Sequence, residues 1–351
     1  MKFSKEKSDL IRILSFFMTC FMVFYHTGGP EGSLAINTFD ANLNGFLSRF
    51  FDAMGTIVMS YFFAVTGFLL FNNLTFSSYK RKIHKRIFSL LVPYILWQII
   101  IVIKLIIQGN YNFSLVPFLK QTFLFMAWPI DGALWYVYAV FIIAVLSPIL
   151  LLFFKNKRIG FGALVIIFIL LNARGTFTNP YIVKIITWGY IGNVLFYLPA
   201  FLTGAFYGKF HDEIKEEHSL IYIILILFAA FCIEGTWGQV MSSTLMLMLP
   251  ILLLFQLPIV PKLINLNVYK LTFLIYAIHQ PLIGDIKDPI YRFYTHFRIP
   301  VSLDNILIRL TILFTDIAIV ALIRVILCKI CPKLLKLLCG GRVDNKLRQS
   351  V

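Results

Sequence analysis

Acidic residues are scarce in this chain, with 16 Asp+Glu in 351 residues against 32 Lys+Arg. Charge of either sign is scarce as well, at 14% of residues where a soluble globular domain carries about 25%. That leaves too little polar sequence for a separate soluble domain, and it excludes a disordered chain and a charge-laced coiled coil. The five cysteines (Cys20, Cys232, Cys328, Cys331, Cys339) are too scattered for a disulfide framework. Cys328-x2-Cys331 with Cys339 lacks a fourth ligand at zinc-like spacing and has no histidine nearby, so reduced thiols and no metal site are expected. The chain has no Gly-x-Ser-x-Gly elbow, no phosphate-binding glycine loop and no His-Glu-x-x-His. A membrane hydrolase, an ATP-driven pump and a metalloprotease therefore lose support. Internal repeats and low-complexity segments are missing too.

What the chain does have is apolar sequence: 59% of 351 residues, about 207, with 36 Phe. A transmembrane helix uses about 20 mostly apolar residues, so the expected fold is an all-α polytopic membrane bundle of about ten helices. Hydropathy places the spans at 10–27, 55–73, 87–107, 133–154, 159–172, 190–208, 219–234, 241–258, 269–284 and 304–328. A further apolar piece, 115–128, is interrupted by Lys120 and followed by Pro129, and reads as re-entrant or interfacial. Lys2, Lys5 and Lys7 before an apolar run resemble a signal peptide, but the run lacks a small-x-small cleavage site and is expected to be a retained first span.

The basic residues orient these spans. Segments 1–9, 74–86, 155–158, 209–218, 259–268 with Lys270, and 329–351 hold 3, 5, 3, 2, 2 and 6 Lys+Arg, 21 in all; the opposite side holds 8. This bias puts both termini in the cytoplasm. The net charge of +16 is thus a membrane-orienting excess and gives no reason to expect nucleic acid as a partner. The domain reading is a membrane domain over 1–328 and a basic cytoplasmic tail over 329–351. Leu334, Leu335, Leu337 and Leu338 make that tail partly amphipathic and suited to lying on anionic lipid.

Ionisable groups inside spans are costly and mark function by default. The first span carries Arg12 near its cytoplasmic end and His26 near its external end. Fourteen positions at ~100° each bring both to nearly one helix face, about 21 Å apart along the axis. Snorkelling to the interface is the plain reading of Arg12, and a neutral imidazole at a wet cavity that of His26. In the last span Arg309 and Asp316 lie seven apart on one face, and an internal ion pair is expected. The basic cluster Lys80, Arg81, Lys82, Lys85, Arg86 either obeys the positive-inside rule or holds anionic phosphate.

Several stretches resemble the acyltransferase 3 family of membrane O-acyltransferases, in that family's order. Asp9-Leu10-Ile11-Arg12 and the run to Phe24-Tyr25-His26 resemble its opening D-x-L-R and His. Tyr61-Phe62-Phe63-Ala64-Val65-Thr66-Gly67-Phe68-Leu69-Leu70 resembles its F-F-x-x-S-G-F-L helix. Lys85-Arg86-Ile87-Phe88-Ser89-Leu90-Leu91-Val92-Pro93-Tyr94, with Trp97 beyond, is similar to its K-R-I-x-x-L-L-x-P-Y helix. Ala133-Leu134-Trp135-Tyr136-Val137-Tyr138 resembles L-W-Y/F-L, and Ile275-Tyr276-Ala277-Ile278-His279-Gln280-Pro281 resembles I-Y-x-x-H-x-P. Three departures stand out. Thirteen residues separate Arg12 from His26 where the family usually has ten, Ser89 replaces a frequent basic residue, and Thr66 keeps only the hydroxyl of the usual Ser. Either Arg81, Lys82 or Lys85 then supplies the charge missing at Ser89, or donor binding is weaker.

The resemblance implies an O-acyltransferase of the bacterial inner membrane. It would move an acyl group, most often acetyl, from cytoplasmic acyl-CoA to a hydroxyl of a cell-surface glycan or lipid-linked sugar. Acyl-CoA is then a co-substrate, no bound cofactor is expected, and membrane lipids and the glycan are the partners. His26 and Arg12 are the catalytic candidates, Arg86, Lys85 and Arg81 the donor-binding candidates, and Thr66, Trp135, Tyr138, Tyr276 and His279 the candidate cavity residues. Histidine suits the base because its unperturbed pKa is ~6.5. A secondary transporter of a small polar or anionic solute uses buried His, Arg and Asp equally naturally. A glycan-synthesis partner without activity of its own is a third reading.

Overall fold

The computed structural model describes residues 5–27, 41–124, 128–172, 179–186, 189–210, 267–297 and 301–342. Among them the regular structure is entirely helical, as the composition requires. The expected spans 219–234 and 241–258 lie outside the described residues. The other eight each fall on helix; four helices are long and apolar enough to cross a membrane, and a bent pair adds a fifth. The chain divides into two compact units, residues 1–58 with 257–351, and residues 59–256.

In the first unit, α1 (Lys5–His26) runs without proline or glycine and stops where Thr27 turns its hydroxyl back onto the Phe24 carbonyl, 2.7 Å. It packs on α11 (Thr272–His296) and α12 (Val301–Ile330), themselves closely paired. A short helix, α13 (Pro332–Leu338), folds back on α12. Its Leu335 and Leu338 are buried, whereas Leu334 and Leu337 are exposed. Arg342 then lays its guanidinium 4.3 Å from the Phe273 ring centroid. Leu335 and Leu338 thus face the protein, and Leu334 and Leu337 stay on the outer side of this partly amphipathic tail. The Arg309–Asp316 ion pair does not form: both side chains are buried, and neither Asp316 oxygen nor Nε or Nη1 of Arg309 has a hydrogen-bond partner among the described residues. Seven residues are about 10.5 Å of helix, twice the spacing at which helical side chains pair.

The second unit begins within α2 (Ala41–Phe71). There α2 crosses α10 (Ile191–Phe210) backbone to backbone: a Cβ at Gly67 would overlap the Phe201 carbonyl, one at Gly204 that of Ala64, and one at Gly208 that of Phe68. Small residues allow such an approach where there is no water to drive helices together. Past α2, Thr75 caps α3 (Phe76–Arg86) in a reciprocal box with Ser78. A π-helical turn, Ile87–Leu91, joins α3 to α4 (Val92–Ile107). Pro93 offers no N–H to the preceding turn, which favours this wider winding immediately after Arg86.

Between α4 and α6 (Trp135–Val145) a short helix lies on the interrupted apolar piece. The short helix α5 (Leu115–Phe123) ends against the flank of α4, and its last carbonyls are taken by two phenols. Tyr94 donates to Thr122 O at 2.6 Å and Tyr138 to Phe123 O at 2.9 Å. The two rings stack at 5.1 Å and 16°. Orphan carbonyls at a helix end must find donors, and in an apolar surrounding only protein supplies them.

Candidate functional site

The histidine pair belongs to the first unit. His26 ends α1 and His279 lies on α11, 253 positions later, yet their ring centroids are 5.2 Å apart with the planes tilted by 37°. Nδ1 of His279 is 2.7 Å from the carbonyl oxygen of Tyr276, one helical turn earlier. A carbonyl only accepts, so Nδ1 carries the proton and Nε2 presents a lone pair. That Nε2 is buried and has no hydrogen-bond partner among the described residues. The Tyr276 ring, also mostly buried, packs 6.0 Å from that of His279. A half-buried imidazole thus stands beside a fully buried one of fixed tautomer, an arrangement suited to taking a proton from a hydroxyl and spreading the charge that results.

Arg12 does not join this pair. α1 is continuous from Lys5 to His26, which keeps the two residues about 21 Å apart. The Arg12 side chain is 57% exposed, with Nη1 3.4 Å from the buried Asp9 carboxylate and the guanidinium 6.0 Å from the Tyr269 ring centroid. An acid one turn away thus braces the exposed guanidinium.

A second constellation lies in the other unit and gathers three of the resembling stretches. Arg86, at the end of α3, is half-buried and within electrostatic reach of the Tyr136 hydroxyl. Tyr136 donates to Phe62 O at 2.7 Å, so its short 2.6 Å contact with Thr66 Oγ1 has Thr66 as donor. The phenol oxygen thereby faces a fixed cation with its proton already committed. Arg81 and Lys85 are exposed. Lys82 is not free to replace the basic residue missing at Ser89, because its ammonium caps the end of α2 through the carbonyls of Leu70, at 2.7 Å, and Asn72. Lys209 does the same for Leu74 O at 3.1 Å. Trp135 is buried in a ring cluster with Phe63, Tyr190 and Tyr197, and Tyr138 is committed to the end of α5.

Sequence reasoning passed over Tyr136, although it stands inside the L-W-Y-like stretch, because a tyrosine between Trp135 and Tyr138 carries no periodic signal of its own. It also passed over Asp131, an acid just ahead of a span, which the structure buries almost completely.

A family model described as an acyltransferase domain matches residues 6–325. No curated protein and no solved structure matches the chain.

Proposed function

We propose that this chain, which belongs to the acyltransferase 3 family and is an acyltransferase by that membership, moves an acetyl or similar acyl group from cytoplasmic acyl-CoA to a hydroxyl of a cell-surface glycan or lipid-linked sugar. The observation that carries the reading is the meeting of His26 with His279, the two histidines of the resembling stretches, in one packed unit. In the reaction, the acceptor hydroxyl oxygen attacks the thioester carbonyl carbon. The C–O bond forms, the C–S bond breaks, the hydroxyl proton passes to His26, and coenzyme A leaves as a thiolate that takes up a proton. A positioned base contributes about 10²–10⁴-fold. The neutral His279 lone pair beside it favours the imidazolium that His26 becomes.

Arg86 is assigned the phosphates of the donor. It is half-buried at the end of α3 within electrostatic reach of the Tyr136 hydroxyl, and its planar donor fork suits phosphate. Arg81 and Lys85 add exposed charge on the same helix. The host membrane for this reading is the bacterial inner membrane.

The test is transfer of label from acetyl-CoA to a glycan fraction by membranes containing the protein. Transfer should be lost in His26→Ala at normal abundance. Purified, correctly inserted protein showing neither acyl transfer nor acyl-CoA binding across a glycan panel would remove the acyl-CoA reading. Secondary transport is the second reading, favoured by Arg309 and Asp316, both buried on α12 and not paired with each other among the described residues. Solute uptake by proteoliposomes that depends on Asp316 would support it.

A further inference from the structure

The basic tail ends in a built turn. α13 closes in a Schellman motif, in which Gly341 N–H donates to Lys336 O at 2.8 Å and Gly340 N–H to Leu337 O at 3.0 Å. Both glycines are left-handed, with φ of 58° at Gly340 and 78° at Gly341. That conformation reverses the chain where other residues would be strained. Leu335, Leu338 and Cys339 are buried ahead of the turn. The reversal brings Arg342 back over the start of α11. Its guanidinium lies 4.3 Å from the Phe273 ring centroid, and its Nη1 donates to Cys339 O at 3.1 Å.

Phe273 begins a row of rings on α11. Its centroid is 6.4 Å from that of Tyr276, Tyr276 is 6.0 Å from His279, and His279 is 5.2 Å from His26. Tyr276 also supplies the carbonyl that fixes the His279 tautomer, 2.7 Å from Nδ1. The row runs from a cation of the tail to the histidine pair, entirely within the first unit. Tyr276 is 8% exposed, so close packing confines its ring between its neighbours. A plain packed tail accounts for the burial of Leu335 and Leu338. It does not account for a two-glycine reversal that sets a guanidinium on the first ring of that row. The reversal also lies past residue 325, where the match to the family ends.

We propose that the tail is a latch for the histidine pair, with Arg342 as a positioning residue. The guanidinium holds the Phe273 ring, Phe273 limits the rotation of Tyr276, and Tyr276 keeps Nε2 of His279 beside His26. The weight of the latch in catalysis rests on the acyl-transfer reading, but the orientation of His279 is measurable without transfer.

The experiment uses the purified full-length protein. For each variant it measures kcat and the acetyl-CoA KM for transfer to glycan, a thermal melt, and the NMR spectrum of isotope-labelled histidine. The His279 signal is identified by its absence in His279→Asn. Arg342→Gln should lower kcat about 2- to 5-fold, the worth of an exposed cation–π contact, with the acetyl-CoA KM and the melt nearly unchanged. It should also shift the His279 signal. Arg342→Lys keeps the cation and should restore most of both. Gly341→Ala meets open space but strains the turn, so it should reproduce the fall with the charge retained, and it covers the case in which Arg342→Gln fails to fold. Arg342→Gln combined with Phe273→Leu should be no worse than Phe273→Leu alone, since the contact is lost once. An unmoved His279 signal in Arg342→Gln, an unaltered kcat in an active protein, or additive losses in the double variant overturns the latch. A fall in kcat that comes with a lower melt and that Arg342→Lys does not restore overturns it too, leaving the tail as packing. A His279 signal that moves as expected in a protein that transfers no acyl group would keep the latch and remove the acyl-transfer reading.

Discussion

Replacing His279 separates its chemistry from its packing. Among the described residues the side chain is held by Nδ1–H to Tyr276 O at 2.7 Å, and it offers the buried Nε2 beside His26. Asn places an N–H near the position of Nδ1 and removes Nε2; Phe fills the ring volume and removes both. If the lone pair supports the imidazolium formed at His26, its loss should cost what a hydrogen bond to a charged group is worth, about 1.5–3 kcal/mol. That is about a 10- to 150-fold fall in kcat. His279→Asn should show this fall with nearly unchanged thermal stability. His279→Phe should show the same fall and lose in addition about 1 kcal/mol for the missing backbone bond. The assay is acetyl transfer to glycan by purified protein, run beside a thermal melt in the same detergent. Near-normal transfer by His279→Asn would refute the argument and leave His279 as a helix-packing residue.

Four further outcomes follow from the geometry. Arg86→Ala should raise the KM for acyl-CoA by about 10- to 150-fold with abundance intact, since the lost bonds are charge-assisted; an unchanged donor KM would transfer the role to Arg81 or Lys85. Tyr136→Phe should lower the melting temperature by leaving Thr66 Oγ1 without its 2.6 Å partner, a cost of about 1–3 kcal/mol, and an unaltered melt would show that Thr66 finds another acceptor. Gly204→Ala should destabilise by about 1–3 kcal/mol or more, because its Cβ would overlap the Ala64 carbonyl, whereas Gly162→Ala, with open space around it, should be neutral or stabilising; equal melts would refute the close crossing of α2 and α10. At Cys339, burial pushes the thiol up from 9.0 to about 11, against the opposing pull of the Arg342 and Arg324 charges. The folded protein therefore holds this proton longer than the unfolded chain, so stability should fall as pH rises from about 9 through about 11. Alkylation followed by peptide mapping should find Cys339 slower than the less buried Cys331 at pH 8, and equal rates would contradict its burial.

The helices were legible because apolar residues that cannot face water and backbone groups that cannot face lipid leave one solution per 20-residue run. The same physics gave the interrupted piece 115–128 its re-entrant or interfacial reading, since Lys120 and Pro129 forbid a clean span. What hydropathy does not carry is the identity of the partner for each polar group. Lys82 and Arg86 look equivalent in a basic cluster, yet one is consumed by the carbonyls of Leu70 and Asn72 and the other faces the Tyr136 hydroxyl. Arg309 and Asp316 share a face and still do not pair, because sharing a face fixes angle and leaves 10.5 Å of rise to cross. His26 and His279 are legible one at a time, as imidazoles inside apolar runs, but their meeting depends on how α1 packs on α11, which no local pattern encodes. Asp131 is the sharpest case. In sequence it is one acid ahead of a span, and only the grip of Gln98 on its backbone shows that the chain commits structure to keeping a carboxyl where apolar surroundings would otherwise expel it. Such a commitment becomes visible once each donor and acceptor can be paired.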